Sequence, residues 1–308
     1  MKEKQNDSKN IFEDMVREHF RKSFGADAQV DIRDVRKNNG VMLRGLTVML
    51  PYQRVMPTLY LEEYYQEYER GTSAEGLLAR MEKVYRTFAE TDELDLAYLD
   101  DYRSVCPTLR LKMVNYEENK DYLRDIPHHR WMDLAVICQS RVRQEPQINA
   151  AITVNSRNAA YWGVTREQLM RDALENSLQQ DMESLVTMEE LLEQLGGGCG
   201  SAGDEGRKGM YVLSNESRVN GAAVLVYPGI LEKCAAKAGG DYFIIPSSIH
   251  EVLILVEEEA RTRELLELVR NVNDERVFEE ERLSYHLYRY YVSEGIVRDM
   301  VTGETAAV

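Results

Sequence analysis

Paired cysteines are the first thing this chain lacks. Its 308 residues include four, Cys106, Cys138, Cys199 and Cys234, far apart and without a CxxC pair. Neither a zinc knuckle nor a disulfide framework is expected, and the compartment expected is the reducing cytoplasm. Long apolar runs are missing as well. None approaches the roughly 20 residues a membrane-spanning helix needs. The opening stretch MKEKQNDSKN holds no apolar core of signal-peptide length and leads straight into an amphipathic helix pattern. Basic clusters are also absent: no Lys/Arg run exceeds two residues, and the formal net charge is -15. A chain so acidic repels phosphate backbones and anionic lipid, so neither nucleic acid nor a membrane surface is an expected partner. The charge leaves one faint alternative, an acidic mimic of nucleic acid that occupies a DNA-binding partner.

The usual chemical motifs fail in turn. Gly198-Cys199-Gly200-Ser201-Ala202-Gly203 matches GxGxxG by letter. A dinucleotide loop needs a strand before it and a helix N-terminus after it, to hold the pyrophosphate on free N–H groups. Here a helical pattern precedes it and the charged run DEGRK follows. No GxxxxGK[ST] loop is present, and no cofactor is expected. His250-Glu251 begins like HExxH, but Ile254 stands where the second histidine is required. His128 and His129 are adjacent, and adjacent side chains diverge, so no metal site is expected there.

What is present is a regular alternation of strands and helices. Ile11, Phe12, Met15, Val16, His19, Phe20 and Phe24 take helical spacing, ended by Gly25. A hairpin follows around Asn38-Asn39-Gly40, with Val41 to Leu50 as the return strand. Thr58 to Leu61 reads as a third strand, and Glu62 to Arg70 as a helix. Thr72-Ser73 caps another, whose buried face is Leu77, Leu78, Met81, Val84, Tyr85 and Phe88. Val105 to Val114 alternates as a strand, and Tyr116 to Arg124 reads as a short helix. Leu134 to Val142 and Ile148 to Val154 form a second hairpin. Thr165 and Gln168 open a helix as a capping box, and Met188 to Leu195 is another. Met210 to Ser214 and Ala222 to Val226 read as a third hairpin, followed by a helix over Ile230 to Lys237. A helix over Ala260 to Val272 and a final strand over Tyr285 to Val292, then a frayed tail, complete the chain.

Hairpins with helices laid on one face give an α+β fold with mostly antiparallel sheets. Two domains are expected, 1–103 and 104–308, the second carrying a flexible glycine-rich loop at 196–209. That loop has too little apolar content to offset the entropy of ordering it, about 1–2 kcal/mol per residue. Early tryptic cleavage at Arg207 and Lys208 is the expected sign.

The centre of the second domain is DYFIIPSSIHEVLILV, Asp241 to Val256. Two apolar, β-prone runs flank Pro246, which suggests strands buried on both faces that meet at a corner. The corner holds Ser247, Ser248, His250 and Glu251, the catalytic candidates of the chain. A Ser–His–acid arrangement there would make a hydrolase-like enzyme, given a base within reach of the serine and an oxyanion hole. No GxSxG elbow supports it. The preferred reading is structural: the serines hydrogen-bond a turn, and His250 and Glu251 face solvent on opposite sides of a strand start.

Tyrosine occurs 18 times against six phenylalanines. Tyr60, Tyr64, Tyr65 and Tyr68 crowd an acidic helix, and Tyr285, Tyr288, Tyr290 and Tyr291 crowd the last strand. Tyrosine suits half-buried faces, either a core rim or a surface for a protein partner.

Several stretches resemble the bacterial family known as domain of unknown function 5688. They are Lys37-Asn38-Asn39-Gly40-Val41 with Gly45-Leu46, Pro57-Thr58-Leu59-Tyr60-Leu61, and Val114-Asn115-Tyr116 with Asp133-Leu134-Ala135-Val136. The others are Trp162-Gly163-Val164-Thr165, Met210-Tyr211-Val212-Leu213, Tyr227-Pro228-Gly229 and Ile245-Pro246-Ser247-Ser248-Ile249-His250-Glu251-Val252. More loosely, residues 105–256 are similar in order to domain of unknown function 1444. The resemblance implies a soluble bacterial protein and brings no activity, substrate or catalytic residue. The function expected is therefore a non-enzymatic binding or regulatory one, with the hydrolase-like corner as the alternative.

Overall fold

The computed structural model describes residues 2–50, 58–89, 96–145, 148–194, 209–256 and 261–307. The glycine-rich stretch, with its GxGxxG letters and Arg207-Lys208, lies outside them apart from Gly209, and so does Pro57. The side chain of Phe88 is likewise outside the described part. The chain forms two compact units, Met1–Leu96 and Ala97–Val308.

The first unit begins with α1, Lys2–Phe24, whose stripe of Phe12, Val16 and Phe20 recurs every fourth residue and is buried. Gly25, at φ +91°, ends it. Next come β1 (Gln29–Arg36), β2 (Met42–Met49), β3 (Leu59–Tyr60), α2 (Glu62–Glu69) and α3 (Ala74–Ala89). The strands form one antiparallel sheet in the order β1-β2-β3, with Val30 opposite Val48 and Ile32 opposite Leu46. Those four residues face Leu77, Met81 and Tyr85 of α3 and the stripe of α1 in one core. The turn between β1 and β2 is a single 3-10 turn over Asn38–Gly40, with Asn39 and Gly40 at positive φ. Tyr65 and Tyr68 of α2 tilt onto the Phe12 ring, at centroid distances of 5.8 and 5.2 Å, so each has one side against the core and stays half-buried.

The second unit runs through α4 (Tyr102–Val105), β4 (Leu109–Asn115), α5 (Lys120–Leu123), β5 (His128–Trp131), β6 (Leu134–Glu145) and β7 (Ile148–Thr153). It continues with α6 (Ser156–Trp162), α7 (Arg166–Gln180), β8 (Glu183–Thr187), α8 (Met188–Gln194), β9 (Met210–Asn215) and α9 (Ile230–Ala238). β10 (Tyr242–Ile245), β11 (Val252–Leu255), α10 (Thr262–Arg276), β12 (Tyr288–Tyr291), β13 (Ile296–Asp299) and β14 (Thr305–Ala307) complete it. All pairings among the described residues are antiparallel. One sheet runs β4-β6-β5 with β7 also on β6, and the other runs β14-β13-β12-β10-β11-β9-β8.

The period of two in each strand sorts side chains between layers. Leu111, Met113, Leu134, Val136 and Cys138 from the smaller sheet share a core with Tyr242, Ile244, Val252, Ile254, Tyr288 and Tyr290 from the larger. α7 and α9 contribute to that core through Leu169, Ala173, Ile230 and Leu231. The alternate residues Phe243, Ile245 and Leu255 turn the other way, onto Leu265 and Val269 of α10. β10 and β11 are thus buried on both faces, as their unbroken apolar runs require.

Three expectations need correction. Ala222 to Val226 is not a strand: Gly221–Val226 is a 3-10 segment, buried from Gly221 to Leu225. Gly221 sits so close to its neighbours that a Cβ there would stand 2.6 Å from Asn215 N and from His250 O, and closer still to Ser214 Oγ. That close approach, with Asn220 at φ +54°, curls the chain before a hairpin can form, and β9 pairs with β8 and β11 instead. The strand at Tyr288–Tyr291 is not the last, because β13 and β14 extend the sheet beyond it. Finally, Thr165 caps α7 by accepting from Gln168 N, whereas the reciprocal capping box sits at Asn155 and Asn158, on α6, which sequence spacing did not reveal.

Candidate functional site

The serine corner is built by backbone pairing. After β10, Leu283 N donates to Ser247 O (3.3 Å), Ser284 N to Pro246 O (3.0 Å) and Ile249 N to Glu281 O (2.8 Å). The segment 246–249 is thereby zipped onto 281–284. Ser248 Oγ accepts from His250 N (3.1 Å) and Glu251 N (3.3 Å), which caps the turn into β11. His250 and Glu251 precede that strand, which begins at Val252, so neither lies on it. His250 Nδ1 accepts from Asn220 N (3.2 Å), which places the neutral ring's proton on Nε2, 3.4 Å from Glu281 Oε1. His250 O accepts from Ser214 Oγ at 2.7 Å. Ser247 is buried, and among the described residues no serine hydroxyl bonds the His250 imidazole.

The zipped segment leads to a denser cluster. Ser284, His286 and Tyr288 alternate along an extended chain and present three polar groups to one side. Leu287, between two of them, packs on the opposite face with α10. Asp299, directly across from Tyr288 on β13, joins them. Asp133 arrives from the smaller sheet, in the two-residue turn between β5 and β6, where buried Met132 takes φ +54°. A non-glycine residue in that region is strained by about 1–2 kcal/mol, and packing of the Met132 side chain holds it there.

The hydrogen bonds converge on the carboxylates. Ser284 Oγ donates to Asp133 Oδ2 at 2.5 Å, and the Tyr288 hydroxyl donates to Asp133 Oδ1. His286 Nδ1 lies 2.7 Å from Asp299 Oδ2 and 3.6 Å from Asp133 Oδ1. Asp299 Oδ1 accepts from Val301 N (2.7 Å) and Thr302 N (3.2 Å). Behind them, Asn273 Nδ2 donates to Ser284 O (2.8 Å), while its buried Oδ1 has no hydrogen-bond partner among the described residues.

These contacts set the protonation behaviour. The Asp299 hydrogen bond raises His286 above its ordinary value, against burial, and Asp133 and Glu304 add to the effect. Burial works to raise the Asp299 carboxyl, but hydrogen bonds from His286, Val301 N and Thr302 N outweigh it and hold it below its usual value. Burial and the Asp133 charge push the Tyr288 phenol well up. The cluster is thus an imidazole held between two carboxylates, with two hydroxyls aimed at one of them.

Other sequence candidates do not converge. His128 Nδ1 bonds Ile126 O at 2.8 Å, and neighbouring His129 is exposed. Cys106 lies 3.8 Å from Asp172, and burial and that charge raise its thiol, which disfavours a reactive thiolate. Sequence reasoning missed the Asp133–His286 cluster. Its one local signal was Ser284-x-His286-x-Tyr288, with period two; Asp133 and Asp299 are brought in only by sheet pairing and packing.

The model of the family described as "Family of unknown function (DUF5688)" matches residues 9–291. That span takes in Asp133, Ser284, His286 and Tyr288, and Asp299 lies beyond it. No curated protein and no solved structure matches the chain. With a match over most of its length, the chain belongs to the family of unknown function DUF5688.

Proposed function

We propose that the protein acts in the cytoplasm by binding a partner protein rather than by turning over a substrate, as a binding or regulatory protein. The observation that carries this reading is the direction of the protons in its most polar cluster. Ser284 and Tyr288 donate to Asp133, and His286 Nδ1 faces Asp299. Nucleophilic catalysis at a hydroxyl needs the imidazole within reach to take its proton. Here both hydroxyls of the cluster donate to a carboxylate rather than to the imidazole, and the corner's Ser248 Oγ accepts from backbone N–H groups. The net charge of -15 favours a partner surface of opposite sign. The half-buried Tyr64, Tyr65 and Tyr68, among the acids of α2, are the face we assign to it.

The test is capture of partners on the full chain from cells that encode it, followed by reconstitution from purified components. A saturable complex that weakens with salt and with Tyr64→Ala is expected. Failure to reconstitute any complex would count against the reading. So would turnover of an ester, peptide or phosphodiester that disappears in His250→Ala or His286→Ala.

A further inference from the structure

We propose that Asp133, His286 and Asp299 form a binding site for one first-row divalent metal ion, of the Mn2+ or Zn2+ kind. The proposal goes beyond the partner-binding reading and does not depend on it. One donor atom from each residue lies within 4.8 Å of the other two. His286 Nδ1 is 2.7 Å from Asp299 Oδ2 and 3.6 Å from Asp133 Oδ1. Donors about 2.0–2.2 Å from a single ion stand roughly 3 Å apart, and the two spacings bracket that value.

Orientation supports the same conclusion. Ligands of a built site are aimed by hydrogen bonds to their remaining atoms. Asp299 Oδ1 is held by the N–H groups of Val301 and Thr302, which turns Oδ2 toward the imidazole. Asp133 Oδ2 is held by the Ser284 hydroxyl and Oδ1 by the Tyr288 hydroxyl, and Oδ1 keeps a second lone pair for an ion. The strained turn at Met132 delivers Asp133 to this spot from a different sheet.

Charge supplies the third reason. The Nδ1 proton serves Asp299, while Asp133, at 3.6 Å, is beyond hydrogen-bond distance. A dication offsets both ligand carboxylates at once, which one proton does not. The mix of imidazole nitrogen and carboxylate oxygen disfavours Mg2+ and Ca2+, which take all-oxygen sets, and suits Mn2+ or Zn2+. The ion would take the place of the Nδ1 proton, the ring keeping its other proton on Nε2. His286 and Asp133 remain partly exposed, at 24% and 14% of their side chains, which gives an ion a way in.

The test uses the full chain, stripped with chelator and titrated with Mn2+ in excess Mg2+ to fill weak acidic sites. One ion per chain is expected, with nitrogen hyperfine coupling from a coordinated imidazole in the electron spin-echo spectrum. Binding should weaken about tenfold or more in His286→Gln and Asp299→Asn, and about tenfold in Ser284→Ala through lost aim of Asp133. Circular dichroism checks that each variant folds. If the ligand variants do not fold, nitrogen coupling that persists when His19, His128, His129 and His250 are each replaced supports the site. No saturable Mn2+ binding, no nitrogen coupling, or wild-type affinity in folded His286→Gln overturns it.

Discussion

Tyr85 shows what one side chain contributes to this fold. Its hydroxyl accepts from Val48 N (2.7 Å) and donates to Val48 O (3.2 Å). The tyrosine thus satisfies both backbone groups of Val48, which lies beyond the described β2–β3 pairs at Gly45 and Leu46. Tyr85→Phe would leave a buried donor and acceptor unmet and should cost about 1–3 kcal/mol in urea unfolding at neutral pH. Burial also pushes the Tyr85 phenol up to about 12. An unfolded tyrosine ionises near 10, so the folded-state preference for the neutral phenol contributes in full below about pH 10. It is lost as pH rises through 12, a loss of about 2–3 kcal/mol. The gap between wild type and Tyr85→Phe should therefore close between pH 10 and 12, and a constant gap would contradict this role. The sequence marked Tyr85 as buried through its helical spacing with Leu77 and Met81. It carried no sign of the Val48 contact, which joins a helix to a strand far away in sequence.

Among the elements, the apolar runs of β10 and β11 were legible because burial on both faces demands side chains without polar interruption. Their corner was legible as a turn, since Pro246 and paired serines have few other uses. The third hairpin was misread because Ala222 to Val226 is apolar at every position, and periodicity says nothing when all positions are buried. Gly221 decides that segment by close approach rather than by any pattern. Gly221→Ala would drive a methyl against the backbone of Asn215 and His250 and should cost about 3 kcal/mol, the upper range for overpacking. Ser248→Ala removes one acceptor for two N–H groups and should cost about 1 kcal/mol. Both are measured by chemical unfolding. Equal, negligible effects would mean that the corner and the 3-10 segment do not hold the sheet as described. The candidate cluster was less legible than either, because its two carboxylates enter from a turn and a strand far apart in sequence.

At the scale of the whole molecule, charge and core composition each lead to an expected outcome. At a net charge of -15, duplex DNA should not be retarded by micromolar protein at physiological salt, and a salt-sensitive shift would overturn that. The cores speak to domain structure. Among the described residues, the buried cluster of the first unit runs from Phe12 to Tyr85, and those of the second begin at Val105. The expected break near residue 103 falls inside α4, and Tyr98, Leu99 and Tyr102 pack against the core of the second unit. Sequence pattern left that boundary blurred because the acidic stretch before it alternates like neither helix nor strand. We expect each unit to fold as a domain, since each has sheet covered by helices and its own buried clusters, within the usual domain size. Residues 1–96 and 97–308, expressed separately, should each melt cooperatively. Tyr85→Phe should lower the melting temperature of the first piece, and Gly221→Ala that of the second. A first piece that retains helix but melts without a cooperative transition would show that its core is not sufficient alone, and would overturn the division into two independent domains.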